Sequence, residues 1–134
     1  MQQGRRYVGQ YLAPFLAVLV LVLFLPVVQA LGLEMPLTMI EKAGEPLFFP
    51  GQAISVQAMV SDPLGIFTVR CYFRYQRDAD FVFTEMTQKG NGLYQGILPA
   101  PAESVHEMEY LYLAVNVRRQ VVRTPVYAVY GRNR

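Results

Sequence analysis

The single histidine, His106, stands among Glu103, Ser104, Glu107 and Glu109, and any acid–base or nucleophilic chemistry would have to begin there. A hydrolytic triad needs a nucleophile, a base and an orienting group that converge within hydrogen-bond reach. Neighbours along one crossover after Pro99 and Pro101 rarely converge in that way, so the segment reads as a solvated histidine among acids. One His and one Cys cannot by themselves close a tetrahedral zinc site. Asp62, Asp78 and Asp80 carry hard oxygens, but calcium takes about six to eight such ligands, and no acidic motif repeats. These aspartates are expected to bond their own backbone in turns. A phosphate cradle requires a glycine-rich loop that enters a helix, and the chain offers none. The expectation is a non-catalytic protein with no cofactor and no metal.

Cys71 is the only cysteine, which rules out an intramolecular disulfide. It lies in phase with Phe67, Val69, Phe73 and Tyr75, so it is expected in the core as a small hydrophobe, an intermolecular disulfide being the lesser alternative.

The N-terminus addresses a membrane. Leu12 to Leu25 reads "LAPFLAVLVLVLFL" without a charge, with Arg5 and Arg6 before it and Pro26 and "VVQA" after it. That order is a secretory signal, residues 1–30, with cleavage expected after Ala30. The apolar stretch from Tyr11 to Leu33 is also long enough to span a bilayer, so an uncleaved anchor over residues 11–33 stands as the alternative. Both place the remainder across the membrane, periplasmic or extracellular if cleaved and anchored to the inner membrane if not. "RRYVGQ" lacks most of a twin-arginine signal.

Removal of residues 1–30 takes Arg5 and Arg6 from the twelve basic residues and leaves ten against ten acids. Such a balance lacks the basic excess of a nucleic-acid binder. Arg118, Arg119, Arg123, Arg132 and Arg134 all follow the last acid, Glu109, and read as solvated arginines on a hairpin tip and a tail over residues 131–134.

What would position these residues is a set of strands. In "QAISVQAMVSD", Ile54, Val56, Ala58 and Val60 share one face while Ser55, Gln57 and Ser61 share the other. "SDPLG" turns the chain, and "IFTVRCYFRY" follows with Arg70 and Arg74 opposite Cys71 and Phe73. "FVFTEMT", a turn at "QKGNG" and "LYQGIL" come next, ended by Pro99 and Pro101. "AESVHE" crosses over as one helical turn into "MEYLYLAVNV", and "RRQVVRT" leads to a last strand, "PVYAVY". These make six strands, with a seventh expected in "PLTMI" within residues 31–50. Strands spaced by turn signals with no helical period indicate an all-β sandwich over residues 51–130.

"AMVSDPLGI", the Met of "FTEM", "GLYQGILPAP", "EYLYLAVN" and "TPVYAV" together resemble the bacterial immunoglobulin-like and fibronectin type III-like modules of exported proteins, from Gly51 to Tyr130. The resemblance implies an immunoglobulin-like antiparallel β-sandwich of about seven strands. It also implies the roles such modules fill: spacer, adhesion, carbohydrate binding or subunit of an envelope assembly. The chain has no Trp, so Cys71 or Phe73 must fill the core position that a Trp often holds, and Tyr110 reads as an ordinary core residue rather than a tyrosine corner. One such module behind an export signal favours a protein-binding subunit of a cell-envelope assembly. A glycan-binding or adhesion module is the alternative, with tyrosines to stack sugars in place of Trp.

The candidate surface starts from a strand apolar on both sides. Tyr110, Tyr112 and Ala114 alternate with Leu111, Leu113 and Val115, which leaves one face surplus to a two-layer core. Leu111 and Leu113 are expected beside Tyr72, Tyr127 and Val129 on the outer side of a sheet. Phe81 and Phe83 extend it if Met86 turns inward, and Arg70 and Arg74 form the rim. The expected occupant is an envelope protein or a second copy of the chain, a glycan being the alternative and the membrane being met only through the N-terminal segment. Residues Leu31 to Pro50 folding back over this face is the competing expectation.

Overall fold

The computed structural model describes residues 35–133 except 77 and 79. The expected signal or anchor helix lies outside the described residues. Nine strands run through them: β1 (Met39–Lys42), β2 (Ile54–Ser61), β3 (Ile66–Tyr75), β4 (Val82–Glu85), β5 (Thr87–Gly90), β6 (Leu93–Leu98), β7 (Glu107–Asn116), β8 (Val121–Arg123) and β9 (Tyr127–Tyr130).

The alternation in β2 is the clearest cause of a strand, since Ile54, Val56, Ala58 and Val60 are buried while Ser55, Met59 and Ser61 are exposed. β2 pairs with β1 and β6, and β5 completes a four-stranded antiparallel sheet in the order β1-β2-β6-β5. The second antiparallel sheet runs β4-β3-β7-β8, with β9 also paired to β7. The two inner faces enclose one core containing Phe48, Val69, Cys71, Phe73, Leu98, Met108, Tyr110, Tyr112 and Ala114. The protein is therefore an all-β antiparallel sandwich, as the alternation predicts.

Nine strands stand where about seven were expected, because "FVFTEMT" and the turn after it hold two strands and "RRQVVRT", expected only as the link to the last strand, holds β8. "FVFTEMT" splits at Met86: β4 pairs with β3 and β5 pairs with β6, so the chain changes sheets at that residue. Met86 is buried at the crossing, and its N–H donates to the Val69 carbonyl. Gly96 permits the crossing, because a Cβ there would lie 3.2 Å from Met86 Cγ and 3.2 Å from Thr84 Cγ2. β8 precedes the expected last strand and is separated from β9 at Pro125. Tyr112 is opposite Thr124 through the Thr124 N–H, yet Tyr110 is opposite Tyr127, so β8 and β9 are one strand with an extra residue inserted.

The hairpin between β5 and β6 is a two-residue turn, Asn91-Gly92, and "QKG" belongs to the strand before it. Asn91 and Gly92 take φ of 51° and 77°, the left-handed pair that suits a twisted hairpin. "AESVHE" forms a turn closed by the Val105 N–H on the Ala102 carbonyl rather than a helical turn. β1 begins later than "PLTMI". Residues 35–50 do not serve the outer face of the second sheet. β1 extends the first sheet, and Phe48 inserts into the core, its carbonyl accepting from the Arg132 N–H.

Candidate partner-binding face

β3 lies centrally in its sheet, between β4 and β7, so its outward side chains meet neighbours on both sides. Thr68, Arg70, Tyr72 and Arg74 alternate with the buried Val69, Cys71 and Phe73. The register sets Tyr72 between Phe83 and Leu111, and Arg70 between Glu85 and Leu113. Tyr72 and Phe83 pack with ring centroids 5.3 Å apart at 42°.

Each arginine is held twice. The Arg70 guanidinium lies 4.3 Å from the Phe83 ring centroid and donates to Glu85 at 2.7 Å. The Arg74 guanidinium lies 4.5 Å from the Phe81 centroid and donates to Glu109. Thr68 adds a hydroxyl bond to Glu85 at 2.8 Å. The Glu85 bond raises the Arg70 pKa. Burial works to raise the Glu85 pKa, but the Thr68 hydroxyl and the Arg70 guanidinium outweigh it and leave it lowered. The Arg70–Glu85 pair is therefore charged near neutral pH, and the two arginine–carboxylate pairs together with the cation–π contacts fix the aromatic rings at the surface.

The structure brings Tyr72, Phe81, Phe83, Leu111, Leu113, Arg70 and Arg74 onto one face, and Met86 does turn inward. Two expectations need correction. Tyr127 and Val129 point into the sandwich, packed against the core, and the Tyr127 ring lies 5.3 Å from that of Tyr110. The residue inserted at Pro125 reverses the phase of the last strand, so Ala128 and Tyr130 take the outward positions. Leu111 faces outward in register but is only 7% exposed, so it is a floor of the face rather than its surface. Phe83, at 48%, is the most open of the aromatic side chains expected there.

Three partners escaped the sequence: Glu85, Glu109 and Thr68. Arg70 and Arg74 are spaced by four and so must share a face of a strand, which signals a place for carboxylates but not which ones. A second missed feature is the bond between the Asn116 amide and the Asp62 carboxylate at 3.2 Å. Asp62 also accepts from the Thr38 hydroxyl at 2.7 Å and the Leu64 N–H at 2.8 Å. The Leu64 N–H first, then the Thr38 hydroxyl, holds its carboxyl below the usual carboxylate range.

The side chains that could begin chemistry lie apart. His106 is exposed in the turn before β7, whereas Cys71 is fully buried in β3, its thiol pushed up to about 12 by burial. Among the described residues no three His, Cys, Asp or Glu side chains gather as metal ligands would. Tyr110 is a core residue, and its hydroxyl holds no hydrogen bond to a corner.

No family model and no curated protein matches the chain. Among solved structures it is similar to a cycloalternan-degrading enzyme from Trueperella pyogenes, with a TM-score of 0.48 and 13% identity over 61% of this chain. The match spans 11% of that enzyme's length. It is also similar to a β-1,3-glucan binding domain of carbohydrate-binding module family 56, with a TM-score of 0.43 and 11% identity, over 69% of this chain and 96% of that one.

Proposed function

We propose that the chain is an exported, non-catalytic immunoglobulin-like module that binds another protein of a cell-envelope assembly through the outer face of its second sheet. The strand order supports the fold assignment. With β8 and β9 counted as one strand, β1-β2-β6-β5 against β3-β7-β8 is the constant-type immunoglobulin arrangement, with β4 added at one edge. The turn after β2 and the end of β7, where the family resemblance has its Asp and its Asn, are the two segments joined by Asp62 and Asn116. Export rests on the uncharged run from Leu12 to Leu25 behind Arg5 and Arg6.

The observation that carries the binding role is the arginine-clamped aromatic face. Aromatic and arginine side chains fixed around an apolar centre are the composition of protein interface hot spots. Residues 35–50, which could have covered this face, are committed to the first sheet and the core. A sugar-stacking platform needs bare ring faces, whereas one side of Phe83 and of Phe81 already carries a guanidinium.

A photo-crosslinking residue placed at Phe83 in cells tests the proposal, with the same residue at Ile97 on the other sheet as control. A discrete protein adduct at Phe83 and none at Ile97 is expected. Adducts only between copies of this chain would replace the partner by a dimer. Absence of any adduct together with retention on polysaccharide, lost in Phe83→Ser, would overturn the proposal in favour of glycan binding.

A further inference from the structure

The chain enters the sandwich at one end, and that end is apolar. Met39 at the start of β1 is opposite Ser61 at the end of β2. The Val60 N–H donates to the Gly92 carbonyl and the Val117 N–H to the Gly65 carbonyl, so the turns around 62–65, 91–92 and 117–120 gather there. Met35 and Leu37, on the approach to β1, are 82% and 63% exposed. Met39, Leu64, Phe67 and Val117, at the same end of the strands, are exposed as well. Before Met35 the sequence reads Leu31, Gly32, Leu33 and Glu34, and farther back lies the uncharged run from Leu12 to Leu25.

Two arginines stand among these apolar side chains. Arg118 and Arg119 are exposed at the tip of the turn after β7. The Arg119 guanidinium lies 3.8 Å from the centroid of the Phe67 ring. Its backbone is held at a φ of 65°, which a side chain other than glycine adopts only where its surroundings impose it. Here the Arg119 N–H donates to the Asn116 carbonyl and the Asn116 N–H to the Gln120 carbonyl, which fixes the turn. Asp62, an acid at this end among the described residues, directs its carboxylate to Thr38, Asn116 and the Leu64 N–H.

We propose that this end is a lipid-surface contact. Leu64, Phe67 and Val117 enter the boundary between headgroups and acyl chains, and Arg118 and Arg119 take headgroup phosphates. Exposed apolar side chains scattered singly are ordinary, but a group of them around the point where an apolar segment joins the domain calls for a burying phase. Arginine over an aromatic ring suits the boundary, since the stem and the ring lie in the apolar layer while the guanidinium reaches the anionic one. A membrane is the occupant that meets both needs, and the proposal rests on the anchor alternative for residues 11–33, in which the segment that precedes the domain in sequence stays in the bilayer. The surface is separate from the sheet face of β3 and β7, and the inference does not rest on that face.

The chain contains no Trp, so a single introduced Trp reports alone. The full chain with Leu64→Trp or Val117→Trp is placed in vesicles of phosphatidylcholine and phosphatidylglycerol containing lipids brominated near the headgroup. Tyr130→Trp is the control, because Tyr130 is exposed beside Glu107 at the opposite end of β7. Blue-shifted emission and a severalfold greater bromine quenching are expected for both tip variants than for the control. Arg118→Gln with Arg119→Gln should reduce that quenching when phosphatidylglycerol is present and leave it unchanged in phosphatidylcholine alone. Quenching at the tip equal to that at Tyr130→Trp would overturn the proposal. A blue shift that depends on protein concentration and not on brominated lipid would assign the tip to a contact between copies instead.

Discussion

The Asn116 side-chain amide donates to Asp62 at 3.2 Å and to Gln120 at 2.8 Å, while its carbonyl oxygen accepts from the Arg118 and Gln120 N–H groups. One buried side chain thus organises the turn after β7 and ties it to the turn after β2. Asn116→Ala strands two backbone donors at once and should lower stability by about 3 kcal/mol in denaturant unfolding. A loss indistinguishable from that of an exposed substitution would show that the turn holds itself.

Asp62 adds a pH dependence to the same network. Its folded pKa lies below the ordinary value of 3.8, so its contribution is complete above that value and is lost as pH falls through the depressed one. The acid limb of the stability profile should therefore flatten in Asp62→Asn, which is less stable at neutral pH but changes less on acidification. A parallel displacement of the two profiles would contradict this assignment.

The alkaline limb has a different origin. Burial pushes the Cys71 thiol and the Tyr75 hydroxyl up to about 12, and raises Tyr110 and Tyr112 further. In the unfolded chain these groups ionise near 9.0 and 10.0, so protons leave the unfolded state first and stability falls as pH rises above those values. Melting temperature should decline steadily between about pH 9 and pH 12, and Cys71 should react with a thiol reagent only at the rate of unfolding. Rapid labelling of the native protein would refute the burial of Cys71.

The sandwich was legible where period and punctuation agree. β2 alternates without interruption, Asn91-Gly92 turns the hairpin, and Pro99 and Pro101 stop β6. Irregularities in strands were not legible, because one inserted residue reverses every side chain beyond it. The register shift between Ile66 and Thr68 leaves Phe67 56% exposed although it counts in phase with Val69, and the insertion at Pro125 sends Tyr127 inward. β5 was missed for another reason. Thr87 to Gly90 are all exposed at a sheet edge, so no buried side chain marks them as a strand.

Tyr110 and Tyr112 carry buried hydroxyls without a hydrogen bond of good geometry, although Glu45 and the Gln57 backbone N–H are near enough to influence their ionisation. Tyr112→Phe removes an unsatisfied polar atom while keeping the ring that packs edge-on to Tyr110 at 5.7 Å. Stability should be unchanged or raised by about 1 kcal/mol. A loss of that size would mean that the hydroxyl has a partner, with an internal water as the first candidate.

Leu111 and Phe83 separate stability from recognition on the same face. Leu111 is 7% exposed beneath its neighbours, so Leu111→Ala should cost about 3 kcal/mol. Below its lowered melting temperature it should still bind. Phe83 makes its contacts at the surface, one with Tyr72 and one with Arg70, and Phe83→Ser should cost about 1–2 kcal/mol. It removes the open aromatic side chain and the ring over which Arg70 lies, so crosslinking from a probe at Leu113 should disappear. The joint change Leu111→Ser with Leu113→Ser confounds the two effects, since one side chain supports the sheet and the other is half-exposed. If Phe83→Ser retains full crosslinking while Leu111→Ala abolishes it at a temperature where both are folded, the face is structural and binding lies elsewhere.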